Sequence, residues 1–239
     1  MPHGQYYRQL KQSFLCRLES ELVYQQIKND IFDFKLMPGE RFTESEIALN
    51  YQVSRTPARQ ALYRLQQEGY VEVAFRSGWT VRPLNLQYYD ELYELRIMIE
   101  QYAIRKLCSS ASQPSKEIKH LHKIWMVAPE QYLSSLKAMA KIDEDFHCAL
   151  VRAIGNQEMI KIHQEVSEKI RIIRRLDFSK MDRIEATYAE HQAILNYIAQ
   201  QQTELAVEKI SAHIQQSRDE VKKITLGMLS QHAVLKASR

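Results

Sequence analysis

Two helix-start signals, at Thr43 and at Ser54, stand so close together that only a very short helix fits between them, and this spacing restricts the chain more than any other feature. Thr43-Glu44-Ser45-Glu46 is a capping box, in which the Thr43 hydroxyl and the Glu46 carboxylate satisfy backbone N–H groups at a helix start. Ile47, Ala48 and Tyr51 follow on one face. Val53-Ser54-Arg55-Thr56-Pro57 then makes a tight turn, with Ser54 or Thr56 as N-cap and Pro57 allowed in the first turn. Ala58, Ala61, Leu62 and Leu65 continue at core spacing, and Gly69 stops the helix.

The flanks complete the motif. Val23, Ile27, Ile31 and Phe34 form an earlier helical stripe that ends before Leu36-Met37-Pro38-Gly39. Tyr70-Val71-Glu72-Val73 and Trp79-Thr80-Val81 alternate as strands do, and the segment from Ala74 to Gly78 joins them as a hairpin with a basic tip. Three helices followed by a small hairpin make a winged helix-turn-helix over residues 1–83, of which 1–18 are an extension with no assigned role.

Beyond Pro83 no strand signal recurs, and six Gly and six Pro in 239 residues favour helices over a loop-rich β-architecture. Asn85 caps a helix carrying Leu92, Leu95, Ile99 and Tyr102, and the pattern is weakest from Ser109 to Ala128. A long helix is predicted from Pro129 to Ile154, stopping at Gly155-Asn156, with three more at 157–178, 181–200 and 202–229. The fold class is mainly α: the N-terminal winged helix-turn-helix, then an all-helical antiparallel bundle over 84–239. Cys16, Cys108 and Cys148 show no C-x-x-C spacing, the start lacks an apolar leader core, and no run of about 18 apolar residues occurs. These features predict a cytoplasmic chain that does not enter a membrane.

A net charge of +4 is mild, but the basic residues Arg55, Arg59, Arg64, Arg76 and Arg82 cluster against only Glu68 and Glu72. With Ala58, Ala61, Leu62 and Leu65 turned inward, Arg55, Thr56, Arg59 and Tyr63 occupy the opposite face of the third helix. Arginine pairs bidentately with guanine O6/N7, and a helix N-terminus holds phosphate, so this edge suits the major groove of double-stranded DNA. Arg76 at the wing tip would meet a phosphate or the minor groove.

A second set of residues points to a metal. Met139, Asp143, His147, Leu150 and Ile154 share one helix face. Ile184, Tyr188, His191, Leu195 and Ile198 share another, as do Ala206, Ile210 and His213. A carboxylate and three imidazoles turned into a core need partners, and a divalent ion supplies them. Zn²⁺ suits oxygen with nitrogen ligands, as do Ni²⁺, Mn²⁺ and Fe²⁺. His120, His122, His163 and His232 fit no such set and read as ordinary residues. The alternative, a metal-dependent enzyme with Glu144 or Asp145 as general base, leaves the basic face unexplained.

Leu36-Met37-Pro38-Gly39-Glu40-Arg41, Thr43 through Ala48 and Val53 through Leu62 resemble the DNA-binding domain of the GntR family over residues 20–83. The resemblance implies that Arg55, Thr56 and Arg59 contact bases and phosphates and that Gly78 lets the wing approach DNA. Ser45 departs from a position where many relatives carry Arg, so by the resemblance one phosphate contact is either missing or replaced by Arg41. Asp143-Glu144-Asp145-Phe146-His147, Glu190 through Leu195 and His213 resemble the FCD effector domain of the FadR-type branch, over about 85–230. That implies a metal held by Asp143, His147, His191 and His213, zinc foremost, and an effector carboxylate held by Arg96. For Arg96 the competing reading is an i,i+4 surface salt bridge to Glu100. The resemblance further implies a homodimer that binds an operator and no catalysis.

Overall fold

The computed structural model describes residues 3–74, 78–110, 114–174 and 182–237, with side chains described for 16–74, 78–110, 114–174 and 183–227. The chain divides into two compact units, Met1–Leu84 and Asn85–Arg239. No helix among the described residues is long and apolar enough to cross a membrane.

The first unit opens with helix α1 (His3–Phe32), which runs through the segment that the sequence leaves as an extension. No glycine or proline falls between Gly4 and Pro38, so nothing in the backbone chemistry interrupts it. Val23, Tyr24, Ile27 and Ile31 are buried, and α1 packs on the third helix. Phe34, expected on the helical stripe, instead sits beyond the helix with φ 56°, and is buried by the turn rather than by helical periodicity.

Helix α2 (Glu44–Asn50) starts on the complete capping box: the Glu46 amide donates to Thr43 Oγ1 at 3.2 Å, and the Thr43 amide donates to Glu46 Oε2 at 2.6 Å. Ser54 is the N-cap residue of α3 (Arg55–Gln67), without a side-chain cap bond, and Pro57 lies buried in the first turn. The end of α3 follows from Gly69. Its φ of +83° lets the Gly69 amide reach Gln66 O at 3.0 Å and the Tyr70 amide reach Leu65 O at 2.9 Å, which closes the last turn. At this end Glu68 accepts from Tyr24 Oη at 2.8 Å and Lys28 Nζ at 2.7 Å, tying α3 to α1.

The wing has a strand that periodicity misses, because β1 (Arg41–Phe42) is too short to alternate. It joins β2 (Val71–Ala74) and β3 (Gly78–Val81) in an antiparallel sheet of order β1-β3-β2, with Phe42 opposite Trp79 and Glu72 opposite Thr80. A Cβ on Gly78 would stand 3.3 Å from the Phe42 carbonyl oxygen, so glycine here lets β1 close on β3.

The second unit is entirely helical among its described residues: α4 (Leu86–Ser109), α5 (Lys116–Trp125), α6 (Leu136–Ala153), α7 (Gln157–Arg174), α8 (Asp182–Ala199) and α9 (Thr203–Ala237). The expected helix from Pro129 is shorter than the sequence pattern suggests. Pro129–Gln131 forms only a 3-10 turn, and α6 starts afresh where Ser135 Oγ accepts from the Ala138 amide at 3.3 Å. The inward face of α4 also differs from expectation. Leu92, Tyr93, Arg96, Ile99, Glu100 and Ala103 are buried, whereas Leu95 and Tyr102 are exposed, because two charged residues take inward positions that an apolar stripe assigns to neighbours.

Trp125 anchors the core of the unit, with Phe146 at 5.5 Å and Tyr188 at 4.9 Å between ring centroids. Gln192 of α8 donates to the Trp125 and Val127 carbonyls at 2.9 and 3.2 Å, fixing the end of α5. This packing sets α4, α6, α7, α8 and α9 around one buried polar cluster.

Candidate nucleic-acid interface and metal centre

On the first unit, Arg55, Thr56 and Arg59 are exposed together at the start of α3, and Ser45 is exposed on α2. Arg41, at the edge of the wing sheet, is exposed as well. Glu44 orients Arg59, accepting from Nε at 2.9 and 3.0 Å and lying 2.8 Å from Nη2, yet the Arg59 side chain stays 58% exposed. Tyr63 packs edge-on to Trp79 with centroids 5.3 Å apart, linking the outer face of α3 to the wing. Arg76 lies outside the described residues.

In the second unit Asp143 and His147 lie one turn apart on α6 and meet His191 of α8 and His213 of α9, all four buried. Their ligand-type atoms lie within 4.8 Å of one another. His213 Nε2 is 3.2 Å from His147 Nε2 and 3.3 Å from His191 Nε2, and Asp143 Oδ1 is 3.3, 3.7 and 3.8 Å from Nε2 of His191, His147 and His213. Four ligands about 2.0–2.1 Å from one tetrahedral ion stand about 3.3–3.4 Å apart, so these separations suit one divalent metal.

Proton placement supports the fit. His147 Nδ1 donates to Glu100 Oε2 at 2.5 Å and His213 Nδ1 donates to Glu190 Oε2 at 2.6 Å, tautomers assigned from the hydrogen-bond network. Those two Nε2 atoms then carry lone pairs, which face each other and the buried Asp143 Oδ1, an oxygen with no hydrogen-bond partner among the described residues. Lone pairs and a carboxylate oxygen converging away from water need a cation between them. Burial, and then the neighbouring His213, push the His191 imidazole well below the ordinary histidine range, and burial followed by Arg96 lowers His147. Burial opposes the Asp143 charge, but Arg174 beside it, with His147, holds the carboxyl well below its ordinary value. Neutral imidazoles and an ionised carboxylate are the metal-binding forms.

The surrounding shell holds residues that sequence reasoning missed or set aside. Glu100 Oε1 accepts from Arg96 Nε at 2.8 Å and from His163 Nε2 at 3.0 Å. The Arg96–Glu100 i,i+4 pair therefore exists, but inside the bundle rather than on its surface, and His163 is a buried member of the cluster. Arg174 pairs with Asp143 Oδ2. His163, Ser167, Ile170 and Arg174 lie on one buried face of α7, a spacing that could have drawn both ionisable residues into the site. The rival general bases are committed elsewhere: Glu144 is held bidentately by Arg171 at 2.6 and 3.0 Å, and Asp145 is exposed, 3.6 Å from Lys141.

Glu100 fixes His147 from behind, so Glu100→Gln is expected to lower metal affinity about 10- to 100-fold in a chelator-competition titration. Unchanged affinity would remove Glu100 from the centre.

Comparison with known proteins agrees with both halves of this description. The bacterial regulatory proteins, gntR family, match residues 19–81, and the FCD domain matches residues 91–216. The Nta operon transcriptional regulator of Aminobacter aminovorans is 33% identical over 198 residues, covering 83% of this chain and 92% of that protein. An uncharacterized HTH-type transcriptional regulator of Bacillus subtilis, YdhC, is 26% identical over 206 residues, covering 84% and 90%. A GntR transcriptional regulator structure from Rhodococcus sp. RHA1 shares the fold with a TM-score of 0.63 at 18% identity, over 85% of this chain and 97% of the other. These relatives are transcription regulators, not enzymes, and this chain belongs to the GntR family of DNA-binding regulators, in the FadR-like branch that carries an FCD domain.

Proposed function

We propose that this regulator binds a specific operator in double-stranded DNA as a homodimer, in the cytoplasm, and that a small carboxylate effector seated beside a divalent metal ion controls that binding. Arg55, Thr56 and Arg59 make the base and phosphate contacts, Arg41 substitutes for the phosphate contact absent at Ser45, and Arg76 and Gly78 belong to the wing. Residues 1–83 act as the DNA-binding domain and 84–239 as the sensing and dimerising one. A two-fold operator needs its recognition helices in pairs, which the homodimer provides.

The observation that carries the sensing half is the buried tetrad Asp143, His147, His191 and His213 beside Arg96, whose Nη2 has no hydrogen-bond partner among the described residues. Zinc is the first choice of ion, with nickel, manganese and iron compatible. When bound, the ion supplies Lewis-acid attraction for a carboxylate oxygen. Arg96 adds a charge-assisted hydrogen bond and a defined direction.

Coupling between the sites is tested by linkage. Operator affinity measured with and without a bound carboxylic acid, and acid affinity measured with and without operator, are expected to change by the same factor. Acid affinity that does not respond to operator would overturn the proposal.

A further inference from the structure

The buried charges around the tetrad balance before any ion is counted. Glu100 and Asp143 are carboxylates at 0% and 5% side-chain exposure, and Arg96 and Arg174 are guanidinium groups at 1% and 6%. Farther out, Glu190 pairs with Arg183 at 3.1 Å and Glu144 with Arg171 at 2.6 Å, one carboxylate to one guanidinium in each case. A divalent ion among neutral imidazoles therefore leaves an excess of two positive charges in a water-poor interior. A proton on His163 would only enlarge that excess. Buried charge without a counter-ion is strongly disfavoured, and a monocarboxylate would offset half of the ion's charge.

The donors point the same way. Arg96 spends Nε on Glu100, and its Nη2 is buried with no hydrogen-bond partner among the described residues. Arg174 spends Nη2 on Asp143, and its Nη1 is equally buried and equally without a partner. Both guanidinium groups lie near Tyr93: the Arg96 Cζ is 6.0 Å from the ring centroid, and Tyr93 is close enough to act on the Arg174 charge. They come from different helices, α4 and α7, so the two free N–H groups belong to two separate anchors rather than one fork.

We infer that the effector is a dianion, a dicarboxylate with one carboxylate on Arg96 beside the ion and the second on Arg174. The inference rests on the carboxylate-effector reading above and narrows it to acids that carry two carboxylates on one short frame. Arg174 then has two duties, holding Asp143 in place as a ligand and reading the far end of the effector. A monocarboxylate of equal length leaves the Arg174 donor unanswered.

Isothermal titration of the zinc-loaded full chain tests this with matched acids: malonate, succinate, glutarate and phthalate against propionate, butyrate, valerate and benzoate. At least one diacid is expected to bind about 10- to 100-fold tighter than its monoacid partner, the contribution of one further charge-assisted hydrogen bond. On zinc-loaded samples Arg174→Gln is expected to erase that preference, read as the ratio of diacid to monoacid affinity within the variant itself. Equal binding of diacids and monoacids by the wild-type chain would overturn the dianion inference and leave the carboxylate reading standing. Failure of every acid to bind would overturn both. The wild-type comparison stands even if the Arg174 variant loses zinc.

Discussion

Arg59→Ala is expected to abolish operator binding in a gel-shift or anisotropy titration, raising the dissociation constant by at least about tenfold per half-site. The size follows from position. Arg59 lies one turn into α3, on the exposed face opposite Ala58, Ala61 and Leu62, where a recognition helix meets base edges. Its partner Glu44 holds the guanidinium in a set direction without burying it, which would lower the ordering cost of a contact with DNA. In the proposed homodimer both recognition helices would lose the contact together, and the loss would compound. The fold is indifferent to the change, because an exposed ion pair contributes little to stability. A variant with wild-type thermal unfolding and no operator affinity is therefore the expected outcome. An unchanged binding midpoint would show that α3 does not read this DNA.

Stripping the metal should be the largest single perturbation of the second unit. An ion present at a thousandfold excess over its dissociation constant stabilises the folded state by about 4 kcal/mol. For a unit of this size that is a rise of roughly 10 °C in unfolding temperature. Chelation is expected to lower the midpoint by that amount, and re-addition of zinc to restore it. The His147→Ala/His191→Ala double variant should unfold at one temperature with or without zinc and should carry none by elemental analysis. The structural reason is that the tetrad draws on three helices, so an ion bound there would act on α6, α8 and α9 at once. Zinc-independent unfolding of the wild type would dismiss the metal centre.

Local chemistry was the readable part of this chain. Thr43 and Glu46 announce a helix start wherever they stand in a fold, and Gly69 marks a helix end because a left-handed residue closes the last turn there. Asp143 and His147 were legible for a similar reason: a spacing of one turn puts them on one face whatever packs against it. Tertiary choices were harder to read. Hydrophobic periodicity assumes that the inward face is apolar, and α4 breaks the assumption by burying Arg96 and Glu100 and exposing Leu95 and Tyr102. The same blindness hid His163 and Arg174, whose burial makes sense only once Glu100 and Asp143 arrive from other helices. At Pro129 the sequence offered a legitimate start that the chain uses for a single turn, and the downstream Ser135 cap took over.

Asp143 divides its two oxygens between different tasks, one turned toward the imidazoles of α8 and α9 and the other engaged by Arg174 of α7. A shift of that one carboxylate by a fraction of an ångström would therefore be felt on three neighbouring helices together, so a small local event at α6 has a direct mechanical route into most of the bundle.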